Sequence, residues 1–169
     1  MALPGELPLL SDWEVHISTI FPEVRLKRFL EMRGSDVINA SDISSLPAFW
    51  VGLLYDSKSL DTAWNIIKNW TFEERDQLTK DVMLNALSAP LPKNIPGAKV
   101  SDLALTLLNL SKEGLERRKQ INDKGFDETI YLQFVKNILD SSCTLAEQDL
   151  NLYENKWNKL VEPLFNIKF

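Results

Sequence analysis

Glu31 and Arg33 stand two residues apart in the run Leu30-Glu31-Met32-Arg33-Gly34, and Arg25 and Lys27 repeat that spacing in Val24-Arg25-Leu26-Lys27. Glu23 and Arg28 add to the same short stretch, which begins at Phe21 and Pro22 and closes with Ser35 and Asp36. A carboxylate offers the hard oxygen that Mg²⁺ prefers, and a guanidinium binds two phosphate oxygens at once. Side by side they suit a polyphosphate, because phosphoryl transfer rests mostly on positioning and charge neutralisation. The same residues also admit a plainer reading, a structural ion pair on a half-exposed strand.

The phosphate reading needs extended backbone. In a helix each residue turns about 100°, so Glu31 and Arg33 would point about 200° apart. In a strand they share a face. The alternation fits a strand: Val24 and Leu26 against Glu23, Arg25 and Lys27, then Leu30 and Met32 against Phe29, Glu31 and Arg33. Gly34 supplies the backbone freedom to end it.

Past residue 45 the chain reads as helix after helix. Residues 46–56 are too apolar for a surface helix and are expected to be buried. Residues 59–70 space Leu60, Ala63, Trp64, Ile67 and Trp70 as one apolar stripe. Thr71 with Glu74, and Thr144 with Glu147, have the spacing of capping boxes that open helices. Residues 101–118 carry Leu103, Leu107, Leu110 and Leu115, with Ser101 as the expected N-cap. A further helix is expected from Asp127, and residues 88–99, with three prolines and a glycine, form a loop. The leucines and tryptophans of these helices are expected in the core.

Composition sets the outer bounds. The chain has 169 residues, 44% of them hydrophobic and 25% charged, which fits one globular domain over residues 1–169. Its formal net charge of −5 argues against nucleic-acid partners, which favour a basic face. No apolar run reaches the roughly 20 residues of a membrane span, and the N-terminus lacks the pattern of a secretory signal. The single cysteine, Cys143, and the single histidine, His16, leave no internal disulfide and no Cys/His metal cluster. A cytoplasmic protein is the expectation from these features.

Residues 21–36, Leu46–Asp56, "GLERR" at 114–118, "DET" at 127–129, "TLAE" at 144–147 and "VEPLF" at 161–165 resemble the C-terminal portion of glutamate–cysteine ligases of the plant and proteobacterial type. The likeness runs from about residue 4 to the end. It departs from the family at Val37, Ile38, Asn39 and Ala40, where a Gly-Gly-Pro-Trp-like segment is usual, and at Asn155, Lys156 and Trp157, where a Gly-x-Trp pattern stands.

The resemblance implies an α+β fold, here mostly helical: a short β element near residues 22–34, followed by a helical layer of a glutamine-synthetase-like catalytic domain. It implies ATP-dependent joining of the glutamate γ-carboxyl to cysteine through a γ-glutamyl phosphate, with ATP and Mg²⁺. Glu31 matches the metal-binding glutamate of the superfamily's E-x-R motif, and Arg33 its nucleotide-phosphate arginine. Arg25 and Lys27 match the family's "VRLK" and are assigned more loosely to an anionic ligand or phosphate. Family members are well over twice as long, so the missing N-terminal part of the enzyme is an expected partner. The alternative is a non-catalytic helical interaction module derived from that enzyme.

Overall fold

The alternation broken at Arg28 folds back on itself. Val24–Leu26 forms β1 and Leu30–Met32 forms β2, an antiparallel pair that sets Val24 opposite Met32, Arg25 opposite Glu31 and Leu26 opposite Leu30. Lys27, Arg28 and Phe29 make the turn, with the Lys27 N–H donating to the Phe29 carbonyl at 2.9 Å. The extended element expected near residues 22–34 is thus a hairpin, and it is the only sheet among the described residues. The computed structural model describes residues 5–35, 38–93, 95 and 97–165. Asp36 and Val37, Asn94 and Pro96 of the proline-rich loop, and Pro4 at the start of the family likeness lie outside them.

The chain divides into two compact units, residues 1–37 and 38–169. The first holds the hairpin and α1, Leu10–Ser18. The sequence reading places no helix before residue 45. This one starts where the Asp12 carboxylate accepts the Leu9 N–H at 2.7 Å, although Val15 and Ile17 are stiff, β-branched residues that do not favour helix.

The second unit is helical. It contains α2 (Ser45–Leu54), α3 (Ser57–Ile67), α4 (Phe72–Asn85), α5 (Val100–Arg118), α6 (Gln133–Ser141), α7 (Leu145–Asn155) and the short α8 (Glu162–Phe165), with a 3₁₀ turn at Glu128–Leu132. The mostly helical α+β expectation holds. Both capping boxes form: the Glu74 N–H donates to Thr71 Oγ1 at 3.1 Å, and the Glu147 N–H to Thr144 Oγ1 at 3.3 Å. The start of α5 differs from the expectation. Asp102, not Ser101, satisfies the first free donors, accepting the Ala98 and Lys99 N–H groups at 2.8 and 3.0 Å, so the helix begins at Val100. Those two bonds hold the Asp102 carboxyl below its usual pKa.

The core lies where α2 crosses α5. Ala48, Leu108, Leu115 and Leu132 are buried there, with Phe49, Val51, Val135 and Leu139 packed against them. The crossing is made close by small residues. Ser111 donates from Oγ to the Phe49 carbonyl at 2.9 Å, and a Cβ placed on Gly114 would fall 2.0 Å from the Gly52 carbonyl oxygen. The expectation for α3 needs correction: it is a helix, but Trp64 is 57% exposed, while Ser59 is fully buried. The reason is the way α3 is tied down. Its first turn meets α5, Ser59 Oγ donating to the Leu110 carbonyl at 2.8 Å, so the aromatic stripe is left off the contact.

That tie is reinforced by charge. Asp56 caps α3 by accepting the Ser59 N–H at 2.8 Å, and Arg117 near the end of α5 grips both Asp56 oxygens at 2.8 and 2.9 Å. The Arg117 bonds first, and the Ser59 amide second, hold the Asp56 carboxyl well below the usual carboxylate range. A depressed folded-state pKa favours folding above the group's ordinary value of 3.8 and loses that contribution as the pH falls below it. The expected result is that the Tm of the native chain falls more steeply below about pH 4 than that of Asp56→Asn, the two curves converging in acid. Parallel curves in a thermal melt series from pH 7 to pH 2.5 would show that Asp56 does not act in this way.

Candidate functional site

The antiparallel register sorts the hairpin's side chains. Val24, Leu26, Leu30 and Met32 fall on one face, and Arg25 and Glu31 oppose each other on the other. The ladder extends one step beyond β2, where the Arg33 N–H donates to the Glu23 carbonyl at 2.9 Å. Glu31 and Arg33 therefore occupy alternate positions of an extended chain, as their spacing predicts.

The partner that Glu31 takes is not Arg33. Arg25 Nε donates to Glu31 Oε2 at 2.6 Å, and each of these side chains keeps about a third of its surface in solvent, 32%. The Arg25 bond is the main cause that lowers the Glu31 pKa; desolvation opposes it, and the charges of Arg25, Lys27 and Arg33 add to it. Glu31 is thus held as an anion by its cross-strand neighbour.

Arg33 is placed differently. Its guanidinium carbon lies over the Phe21 ring, 4.9 Å from the centroid, a cation–π contact. Its Nη1 is buried and meets no acceptor among the described residues. A buried donor left without an acceptor is costly, which makes it a natural seat for a ligand oxygen. Lys27 sits in the turn, exposed. Sequence reading missed Phe21. The signal lay in the register: with Glu23 opposite Arg33, position 21 is the next one on that face.

What the arrangement fits can be judged from its donors. Glu31 offers a single carboxylate, and no group of three or more His, Cys, Asp or Glu capable of holding a metal exists among the described residues. The set fits a cation carried on phosphates, with guanidinium groups for the phosphate oxygens. A separate cleft lies in the second unit. It has a volume of about 530 Å³, lies between α3 and α4, is lined by Thr62, Asn65, Trp70, Glu74 and Ile95, and contains none of Phe21, Arg25, Lys27, Glu31 and Arg33.

Comparison with known proteins bears on the same residues. The family model of glutamate-cysteine ligase family 2 matches residues 5–166. The chain is 49% identical over 162 residues to glutamate–cysteine ligase A, chloroplastic, of Oryza sativa subsp. indica, covering 96% of this chain and 31% of that protein. It is 45% identical over 163 residues to the chloroplastic glutamate–cysteine ligase of Solanum lycopersicum, covering 96% and 29%. For the Arabidopsis thaliana protein of the same name the identity is 42% over 163 residues, again 96% and 29%. The chain spans about three tenths of the length of these relatives. The expectation of a cytoplasmic protein is overturned, since each of these relatives is named chloroplastic. The composition that prompted it carries no address.

Proposed function

The chain belongs to glutamate-cysteine ligase family 2, and from that premise we propose that it is the part of a plastid ligase that presents the nucleotide phosphates and their Mg²⁺ to the reaction. The reaction is the joining of the glutamate γ-carboxyl to the amino group of cysteine. A carboxylate is a poor electrophile, so the ATP γ-phosphoryl group passes first to the γ-carboxylate oxygen. The cysteine nitrogen then attacks the acyl carbon, its proton is lost, and phosphate leaves with the former carboxylate oxygen. Mg²⁺ on the phosphates would supply charge neutralisation.

The observation that carries this reading is the buried Nη1 of Arg33, without an acceptor among the described residues, two residues beyond the ionised carboxylate of Glu31. Arg33 is read as the phosphate contact, Glu31 as the hard oxygen for the metal, and Arg25 and Lys27 as further positive charge toward an anionic ligand. Both compact units are read as one segment of a glutamine-synthetase-like catalytic domain that works with the remaining length of the ligase. Support comes from the hairpin's apolar face. Leu26 and Leu30 are 79% and 58% exposed, more open than the charged pair opposite them. An apolar sheet face left in water is a face awaiting cover.

The test is a chimera in which residues 5–166 replace the matching segment of the rice ligase. It is expected to form γ-glutamylcysteine with ATP and Mg²⁺, whereas the isolated 169-residue chain releases no ADP from the same mixture. A folded but inactive chimera would favour a non-catalytic interaction module. Turnover by the isolated chain at about 1 s⁻¹ or faster would refute the view that it is only part of the site.

A further inference from the structure

Charge around the hairpin's polar face is uneven. Glu23 and Glu31 stand there with Arg25 and Arg33, a balanced set to which Lys27 and Arg28 in the adjoining turn add two positive charges. A bare divalent cation approaching Glu31 meets the Arg25 guanidinium already on Oε2 at 2.6 Å, with the charges of Lys27 and Arg33 near enough to act on the same carboxylate. A metal–nucleotide chelate carries net negative charge and feels the opposite field. Arg25 is bound to Glu31 through Nε alone, and its Nη groups make no other hydrogen bond among the described residues. One side of the guanidinium therefore holds the carboxylate while its end stays open to an oxygen.

We infer that Arg25 is a specificity-determining residue of this site: it keeps a bare divalent cation off Glu31 and admits one that arrives on nucleotide phosphates. The inference rests on the reading of Glu31 as a metal ligand, and it makes entry of metal and nucleotide a single event. Its signature is a pair of opposite effects. Removing the guanidinium charge relieves repulsion of the bare ion and also removes a phosphate contact.

The experiment uses the full 169-residue chain, ¹⁵N-labelled, and the broadening of the Glu31 and Arg33 amide resonances by Mn²⁺ alone and by Mn²⁺ with ADP. In Arg25→Met the half-saturating concentration of Mn²⁺ alone should fall about threefold or more, while that of the Mn²⁺–ADP complex should rise about fivefold or more. Arg25→Lys keeps the charge without the fork, so it should exclude Mn²⁺ alone as the native chain does and still bind the complex more weakly. Both ligands shifting in the same direction, or neither shifting, overturns the inference. The amides of Val24 and Met32, paired across the strands, report whether the hairpin survives. If Arg25→Met unfolds it, Arg25→Lys decides: tighter binding of Mn²⁺ alone by that variant overturns the inference, and unchanged exclusion with weaker complex binding supports it. Glu31→Gln separates the two levels. If broadening by the complex is unchanged in that variant, the metal role of Glu31 is wrong and the inference falls with it. If broadening is lost there but Arg25→Met shows no opposite shifts, the inference alone is wrong.

Discussion

Glu31→Gln in the rice-ligase chimera should cut ATP-dependent γ-glutamylcysteine formation about a hundredfold or more, partly restored by raised Mg²⁺, while the Tm moves by less than about 3 °C. The amide keeps the size of the side chain and removes the charge a hard cation requires. The small stability change follows from the structure. The Arg25–Glu31 pair has 32% of each side chain in solvent, and ion pairs so open to water hold little folding energy. A buried pair would behave otherwise, since removing one partner strands the other. Arg33→Lys should also impair turnover, by about tenfold or more, because lysine keeps the charge near Phe21 but does not offer two parallel donors. Activity and melting temperature measured on the same two proteins decide the matter. Normal specific activity with a large fall in Tm would show that both residues serve the fold and not the phosphates.

How much of this was legible in the sequence depends on the range over which each residue acts. The two capping boxes were legible because Thr71 with Glu74, and Thr144 with Glu147, bond across a single turn. The alternation around Glu31 was legible for the same reason. The partner of Glu31 was not, because it depends on the length of the turn. With three residues between the strands, position 25 lands opposite 31. The matched blocks of the second unit show the gap most plainly. "GLERR" reads as a family signature, yet its tasks appear only with their partners in place: Gly114 lies against Gly52, Arg117 holds Asp56, and Arg118 bonds Glu128 at 2.9 Å. In "DET", Asp127 caps the 3₁₀ turn through the Thr129 N–H at 2.8 Å, while Glu128 receives Arg118. Contacts between residues sixty apart in the chain leave no periodic trace. The exposed stripe of α3 was misread for a related reason, since periodicity marks an apolar face without saying what covers it.

Gly114→Ala tests the second unit where it is least able to yield. In an ordinary helix interior, exchanging glycine for alanine stabilises by about 1 kcal/mol. Here the sign should reverse. The added Cβ would sit 2.0 Å from the Gly52 carbonyl oxygen and 3.1 Å from Ser59 Oγ. At Gly52 it would sit 2.2 Å from the Ser111 carbonyl oxygen and 2.4 Å from its Oγ. None of these four atoms can move freely: two are backbone, Ser111 Oγ is committed to the Phe49 carbonyl at 2.9 Å, and Ser59 Oγ to the Leu110 carbonyl at 2.8 Å. Either substitution must therefore push α2 and α5 apart along the surface that buries Leu108 and Leu115, loosening the core on both sides of the crossing. The expected cost is about 2–4 kcal/mol, or a fall in Tm of roughly 5–15 °C for a chain of this size. The double variant gives the sharper test. Once one Cβ has separated the helices, the second enters space already opened, so the combined loss should be clearly smaller than the sum of the single losses. Additive losses would mean that each glycine is felt at its own position and that the helix separation is not the shared cause. A rise in Tm for either single variant would show that the two backbones do not meet as closely as the crossing at Gly52 and Gly114 requires.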